Sequence, residues 1–141
     1  MFQDKVVVIT GGANGIGKCI AQEFEKNGAH VCVIDKEEGP HYVGDIAEKE
    51  VLEDFAKNVI AQYGHVDYLV NNAMPITKGI SSCSYEEFEY AQRVGVTAPF
   101  YSHLSQQSGE RFSFGQLYFL LSSPDRHTIH RIFSQLQRQK R

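Results

Sequence analysis

The chain has 141 residues, enough for one domain with a real core, and its composition, 42% hydrophobic and 22% charged, is that of a globular protein. Its net charge of −3 is unevenly spread: residues 1–101 carry eight basic against fifteen acidic side chains, and residues 102–141 carry six against two. No apolar run approaches the roughly 20 residues of a membrane span, and the opening Met1-Phe2-Gln3-Asp4-Lys5 lacks the charged and apolar stretches of a secretion signal, so a cytoplasmic protein with no membrane partner is expected.

Lys5-Val6-Val7-Val8-Ile9-Thr10 is apolar on both faces, as a buried parallel strand should be. Glycines follow at once. Ile16, Ile20, Ala21 and Phe24 then recur at helical spacing, and Gly28 stands where a helix C-terminus belongs. His30-Val31-Cys32-Val33-Ile34 reads as a second buried strand ending at Asp35, with Tyr42-Val43 as a short third strand. Val51, Leu52, Phe55, Val59 and Ile60 predict an amphipathic helix over 48–63, closed by Gly64. Val66–Val70 is the next strand, ending at Asn71-Asn72, and Ser84-Tyr85-Glu86-Glu87 opens another helix with a capping box. The order strand–helix–strand–strand–helix–strand–helix predicts an α/β fold with a parallel sheet and right-handed crossovers.

After Tyr101 the periodicity degrades. Leu117-Tyr118-Phe119-Leu120-Leu121 could add one more buried strand beside residues 66–71, whose far edge would otherwise be open. The rest, rich in Ser, Gln, Arg and His, reads as an irregular tail. The expected division is therefore a regular α/β region, 1–101, and an atypical basic tail, 102–141. Cys19, Cys32 and Cys83 are odd in number and lack metal-ligand spacing, so free thiols and no metal site are expected.

Thr10-Gly11-Gly12-Ala13-Asn14-Gly15-Ile16-Gly17 lies between the first strand and the first helix, the context in which a glycine loop cradles a diphosphate on backbone N–H groups. Side chains at Gly11, Gly15 and Gly17 would obstruct the turn, the phosphates or the helix–strand packing. Asn14 and Ile16 belong to the same loop. Asp35, 18 positions beyond Gly17, can accept both ribose hydroxyls of an adenosine and would repel a 2′-phosphate, which favours NAD(H) over NADP(H). An Asp that merely caps the following turn is the plainer alternative.

The spacing Thr10-Gly11-x-x-x-Gly15-x-Gly17, an acid at the second strand's end, Asp45-Ile46, and Asn71-Asn72-Ala73 together resemble the short-chain dehydrogenase/reductase family over residues 5–101. The resemblance implies a Rossmann-like doubly wound sheet. It implies that Asp45, with Ile46, meets the adenine, that Asn71 steadies the central sheet, and that Ala73 lies along the cofactor. Met74 stands where the family has Gly.

The family's chemistry uses a tyrosine as acid/base, a lysine four residues later that lowers its pKa, a serine on the substrate carbonyl and an asparagine in a proton relay. None of the seven tyrosines has that lysine, and Gly95 occupies the place of the asparagine. Ser122 and Ser123, after Leu120-Leu121, are candidates for the serine, with two solvent-facing serines the equal alternative.

Three functions follow. The resemblance implies an NAD(H)-dependent oxidoreductase acting on an alcohol/carbonyl pair, expected to be inactive as written. A cofactor-binding module without catalysis, whether pseudo-enzyme or truncated product, is the second. The third is a partner of acidic molecules such as nucleic acid, through Arg131, Arg138, Lys140 and Arg141, against the plain alternative of a solvated tail. The substrate is not legible. An oligomer is possible, although the strands and helices that form the family's usual interfaces are not in the sequence.

One reading joins the charge change, the lost periodicity and the missing lysine. Read one nucleotide out of frame, permitted codons for residues 131–138 can spell Glu-Tyr-Ser-His-Ser-Tyr-Lys-Gly, and those for 114–121 a Gly-Ser-Phe-Ile-Ser-Ser string. The tail is then expected to be a frameshifted product. Sequencing the coding DNA tests this: a single-base shift should restore a dehydrogenase reading frame after residue 101, and its absence rejects the idea.

Overall fold

The computed structural model describes residues 2–75, 78–79, 81–107 and 118–119. Strand β1 (Val6–Thr10) is buried along its whole length. Its β-branched side chains suit a pleated strand packed on both faces. It runs parallel between β2 (His30–Asp35) and β4 (Tyr68–Asn71), with Val8 opposite Cys32 on one side and Leu69 on the other. A two-residue β3 (Tyr42–Val43) extends β2, and β5 (Tyr118–Phe119) pairs parallel with β4 through Val70 and Asn71. The sheet is parallel, as the element order predicts, and its order β3-β2-β1-β4-β5 is the Rossmann-like arrangement that the resemblance implies. Within the segment 117–121, the described residues Tyr118 and Phe119 supply a neighbour for β4.

Helices cover both faces. On one, α1 (Gly15–Lys26) lays Ile20, Ala21 and Phe24 against Val7, Ile9, Tyr68 and Val70. Phe2 closes this layer; its ring stands edge-on to Phe24 at 4.9 Å and to Tyr68 at 5.7 Å. On the other face, α2 (Lys49–Tyr63) packs Leu52, Phe55 and Val59 on Val6, Val8, Ile34 and Leu69. Each such side chain removed from water contributes about 1.5–3 kcal/mol. Both helices stop at glycines with positive φ: Gly64 at +76° caps α2, and Gly28 at +86° follows the last residues of α1.

Ser84 opens α3 (Tyr85–Gln92) with the expected capping box: its Oγ accepts from the Glu87 N–H, and the Glu87 carboxylate accepts from the Ser84 N–H. The chain then passes through a π-helical turn, Arg93–Thr97, into α4 (Ala98–Gln107). Pro99 accounts for the widened turn. A proline ring collides with the carbonyl four residues earlier, here that of Gly95, and a π-turn moves that carbonyl aside. Helix α4 continues six residues past the division expected at residue 101. Val94 and Ala98 join the core on the α2 face, and the Tyr101 hydroxyl bonds the Glu53 carboxylate of α2.

The connection from β2 to β3 is short. Only Lys36–His41 separates them, whereas a parallel crossover ordinarily needs a dozen residues or more. The chain therefore returns beside the last two residues of β2, Ile34 and Asp35, and His30–Val33 keep an open outer edge among the described residues.

At the opposite end of the sheet, Asp67 accepts hydrogen bonds from Lys5 Nζ and the Val6 N–H, both at 2.8 Å, and contacts His65 Nε2 at 3.1 Å. Burial alone would raise the Asp67 pKa, but the bonds from Lys5 and Val6 outweigh it and hold the carboxyl below its ordinary range. A depressed carboxyl stabilises the fold above its unfolded pKa, and that contribution is lost as pH falls through the folded value. Asp67→Asn should therefore cost about 1–2 kcal/mol in urea unfolding at pH 7, a modest loss because Lys5 is partly solvated. The difference from the parent should close as pH falls through the depressed pKa of the folded carboxyl, and a pH-independent difference would contradict this account.

Candidate functional site

The C-terminal ends of β1, β2 and β4 open into one groove of about 540 Å³. The glycine loop forms its floor. Asn14 takes the N-cap position of α1 in an extended conformation, but its side chain makes no capping bond, and the first turn holds no acidic residue. The N–H groups of that turn and the positive end of the helix dipole are thus left for a ligand, and they favour an anion.

Two glycines show why the loop is built as it is. At Gly15 φ is +56°, and a Cβ would meet nothing within 4 Å, so the backbone there lies bare to the open space before the helix. Gly17 is the reverse case. It is buried, and a Cβ there would run into the Gly11 carbonyl and the Asn72 carboxamide. The helix lies directly against the end of β4 because Gly17 has no side chain.

Asp35 ends β2 at the groove wall. Its carboxylate accepts from the Ala13 N–H at 2.9 Å and the Glu37 N–H at 3.1 Å, so it braces the glycine loop and caps the following turn at once. Each oxygen retains a free lone pair. Asp45 lies farther along the same wall and accepts from the Ala47 N–H at 2.9 Å and the Tyr90 hydroxyl at 2.8 Å. Burial, then the bond to Asp45 and its charge, push Tyr90 up to about 12. The phenol is neutral and donating throughout the physiological range.

The end of β4 is tied to the end of β1. Asn72 Nδ2 donates to the carbonyls of Gly11 at 2.7 Å and Thr10 at 3.2 Å. Thr10 Oγ1 accepts from the N–H groups of Asn72 and Ala73, both at 3.1 Å. Asn71, the residue expected to steady the sheet, pairs by its backbone with Thr10 and Phe119, but its buried carboxamide finds no partner among the described residues.

Of the ten cofactor-binding positions expected from the sequence, Gly11, Asn14, Ile16, Asp35, Asp45, Ile46 and Ala73 line the groove. Gly17 and Asn71 are buried beside it, and Gly15 is exposed at the start of α1. Ser122 and Ser123 lie outside the described residues, as do the basic side chains of the tail. The sequence reading did not assign Thr10, Asn72 or Tyr90. The signal for the first two was present, a hydroxyl and a carboxamide at the ends of adjacent strands. Tyr90 gave none beyond its place on a helix. Met74, in the place of the family's glycine, is half exposed at the groove mouth. Near it, a Cβ on Gly95 would meet only the Met74 sulfur, at 3.9 Å.

The glycines separate in mutagenesis. Gly17→Ala should lower stability by at least about 2 kcal/mol, because backbone and not a flexible side chain must give way. Gly95→Ala should be neutral or gain up to about 1 kcal/mol, since the space is free and alanine favours the helix. Thermal unfolding of the two variants checks both, and equal effects would contradict the packing described.

The family model described as short chain dehydrogenase matches residues 5–107. An uncharacterized oxidoreductase of Thermotoga maritima is 35% identical over 117 residues, 71% of this chain and 46% of that protein. An apo SCOR enzyme of Clostridium thermocellum superposes with a TM-score of 0.69 at 35% identity, over 74% of this chain and 49% of the other. A 3-ketoacyl-(acyl-carrier-protein) reductase of Brucella melitensis, solved with NADH, gives 0.67 at 25% identity, over 74% and 49%. The chain thus spans about half the length of the relatives it matches. With a family match over residues 5–107 and the β3-β2-β1-β4-β5 sheet beneath it, the chain belongs to the short-chain dehydrogenase family.

Proposed function

We propose that these residues form the NAD(H)-binding portion of an oxidoreductase that acts on an alcohol/carbonyl pair. One observation carries the proposal: the uncapped N-terminus of α1 opens into the same groove as the carboxylate of Asp35, with Asp45 farther along the wall. That sequence of features matches a dinucleotide from its diphosphate to its adenine. The residues fit the group, because the bare backbone at Gly15 leaves space that a side chain would fill. When bound, the nicotinamide supplies hydride chemistry. The chain's own residues do the holding: N–H groups at Asn14–Gly17 face the diphosphate, Asp35 takes the adenosine ribose, Ile46 and Asp45 take the adenine, and Ala73 borders the cofactor.

Asp35 and Glu37 at the ribose end favour NAD(H), since a 2′-phosphate would be brought against two carboxylates. Lys36 stands between them in sequence, but its ammonium lies over the Tyr90 ring, 5.9 Å from the centroid. The division proposed from the sequence puts binding in 1–101 and leaves 102–141 outside it. No tyrosine–lysine pair at the spacing of the family's catalytic pair occurs in the 141 residues, so we propose that they bind without turnover.

Titration calorimetry of the 141-residue chain with NADH and NADPH tests the reading. NADH should bind more tightly than NADPH. Asp35→Ala should weaken NADH at least roughly tenfold and shrink the difference between the two cofactors, as loss of a charged hydrogen-bond acceptor requires. Gly15→Val should abolish binding. A folded chain that binds neither cofactor would overturn the proposal, and NADH consumption with simple ketones would overturn its non-catalytic part.

A further inference from the structure

The Tyr90 hydroxyl donates to the Asp45 carboxylate at 2.8 Å. Helix α3 buries no residue and leaves Tyr85 and Phe88 exposed. Tyr90 is its half-buried contact with the groove wall, and it reaches a carboxylate 45 positions earlier in the chain. A tyrosine on such a helix would ordinarily turn its hydroxyl to water. Here the ring lies beneath the Lys36 ammonium and the hydroxyl points away to Asp45.

The consequence for Asp45 is geometric. One oxygen accepts the Ala47 N–H and the other the Tyr90 O–H. With a donor on each oxygen the carboxylate plane cannot rotate. Each oxygen keeps one further acceptor site, and a carboxylate has no proton to donate. The groove therefore presents a fixed group that can only accept. Such a group pairs with an exocyclic amine on a purine and opposes a carbonyl at the same place.

We propose that Tyr90 is a positioning residue that sets base specificity: by holding the Asp45 carboxylate it selects a six-amino purine, adenine, over a six-oxo purine. The inference rests on the dinucleotide-binding reading above and adds to it the residue that enforces the choice of base. Without the Tyr90 hydroxyl, Asp45 is held on one oxygen only and can turn away from a mismatched carbonyl, so discrimination falls while the diphosphate and ribose contacts remain.

The test compares NADH with its hypoxanthine counterpart, reduced nicotinamide hypoxanthine dinucleotide, by calorimetry on the full 141-residue chain. The parent should prefer the adenine form roughly tenfold or more, the scale of leaving a polar group opposed in a partly desolvated site. Tyr90→Phe keeps the ring under Lys36 and should bring the ratio toward one, with NADH itself weakened far less than the ratio changes. Asp45→Asn, whose amide can donate as well as accept, should also bring the ratio toward or below one. A purely structural role for Tyr90 would weaken both ligands equally. An unchanged ratio in Tyr90→Phe overturns the inference and leaves the binding site standing, as does a parent chain that binds both forms alike. A chain that binds neither form overturns the binding site as well.

Discussion

The groove depends on the contact where Asn72 reaches from the end of β4 to the carbonyls of Thr10 and Gly11. The first belongs to the last residue of β1 and the second to the turn that leaves it. Buried backbone acceptors of this kind must be paired, and a carboxamide from the neighbouring strand does so without lengthening either strand. The Thr10 hydroxyl accepts two N–H groups in return. Two strands that are 62 residues apart in sequence are thereby locked at one level, and the start of α1 is set against them. Gly17 permits the close approach, and the Asn72 carboxamide occupies the space that a side chain there would take.

Apolar runs and their glycine punctuation make the sheet legible in the sequence, although β2, expected to be buried, buries only Ile34 because it lies near the sheet's edge. β1, α1, β2, β3, α2 and β4 fall within a residue or two of where periodicity places them, because each is specified by its own local pattern. The expected capping box at Ser84 is present for the same reason. The stretch after Tyr101 was not legible. Helix α4 carries Ser102, Ser105, Gln106 and Gln107 with no sustained apolar stripe, and it is helical as the continuation of α3 through a turn that Pro99 widens. Local propensity is a poor guide where tertiary contact decides, as with Val94 and Ala98 on the α2 layer.

The site shows the same division. Gly11, Gly15 and Gly17 are legible as a turn because a positive φ or close packing restricts which residues can stand there, and Asp35 is legible as an acid at a strand end. Asn72 and Tyr90 act across distances of 61 and 45 residues, and no pattern in a single sequence joins them to their partners. Asn71 is the instructive neighbour of Asn72. One position separates them, yet a strand sends successive side chains to opposite faces, so one carboxamide reaches the glycine loop and the other does not.

The short link between β2 and β3 has a consequence for the life of the protein in a crowded solution. Backbone groups alternate along a strand: His30 donates to the Lys5 carbonyl on the β1 side, so it is Val31 and Val33 whose N–H and C=O groups face the outer edge, along a groove that both help to line. Such an edge is a template for another strand, and among the described residues the usual protections are thin: one exposed histidine and no proline within the strand. The amides on that edge should exchange with solvent far sooner than those of β1, and self-association on heating should begin there, so that shelf life is governed by β2 and not by the well-packed centre of the sheet.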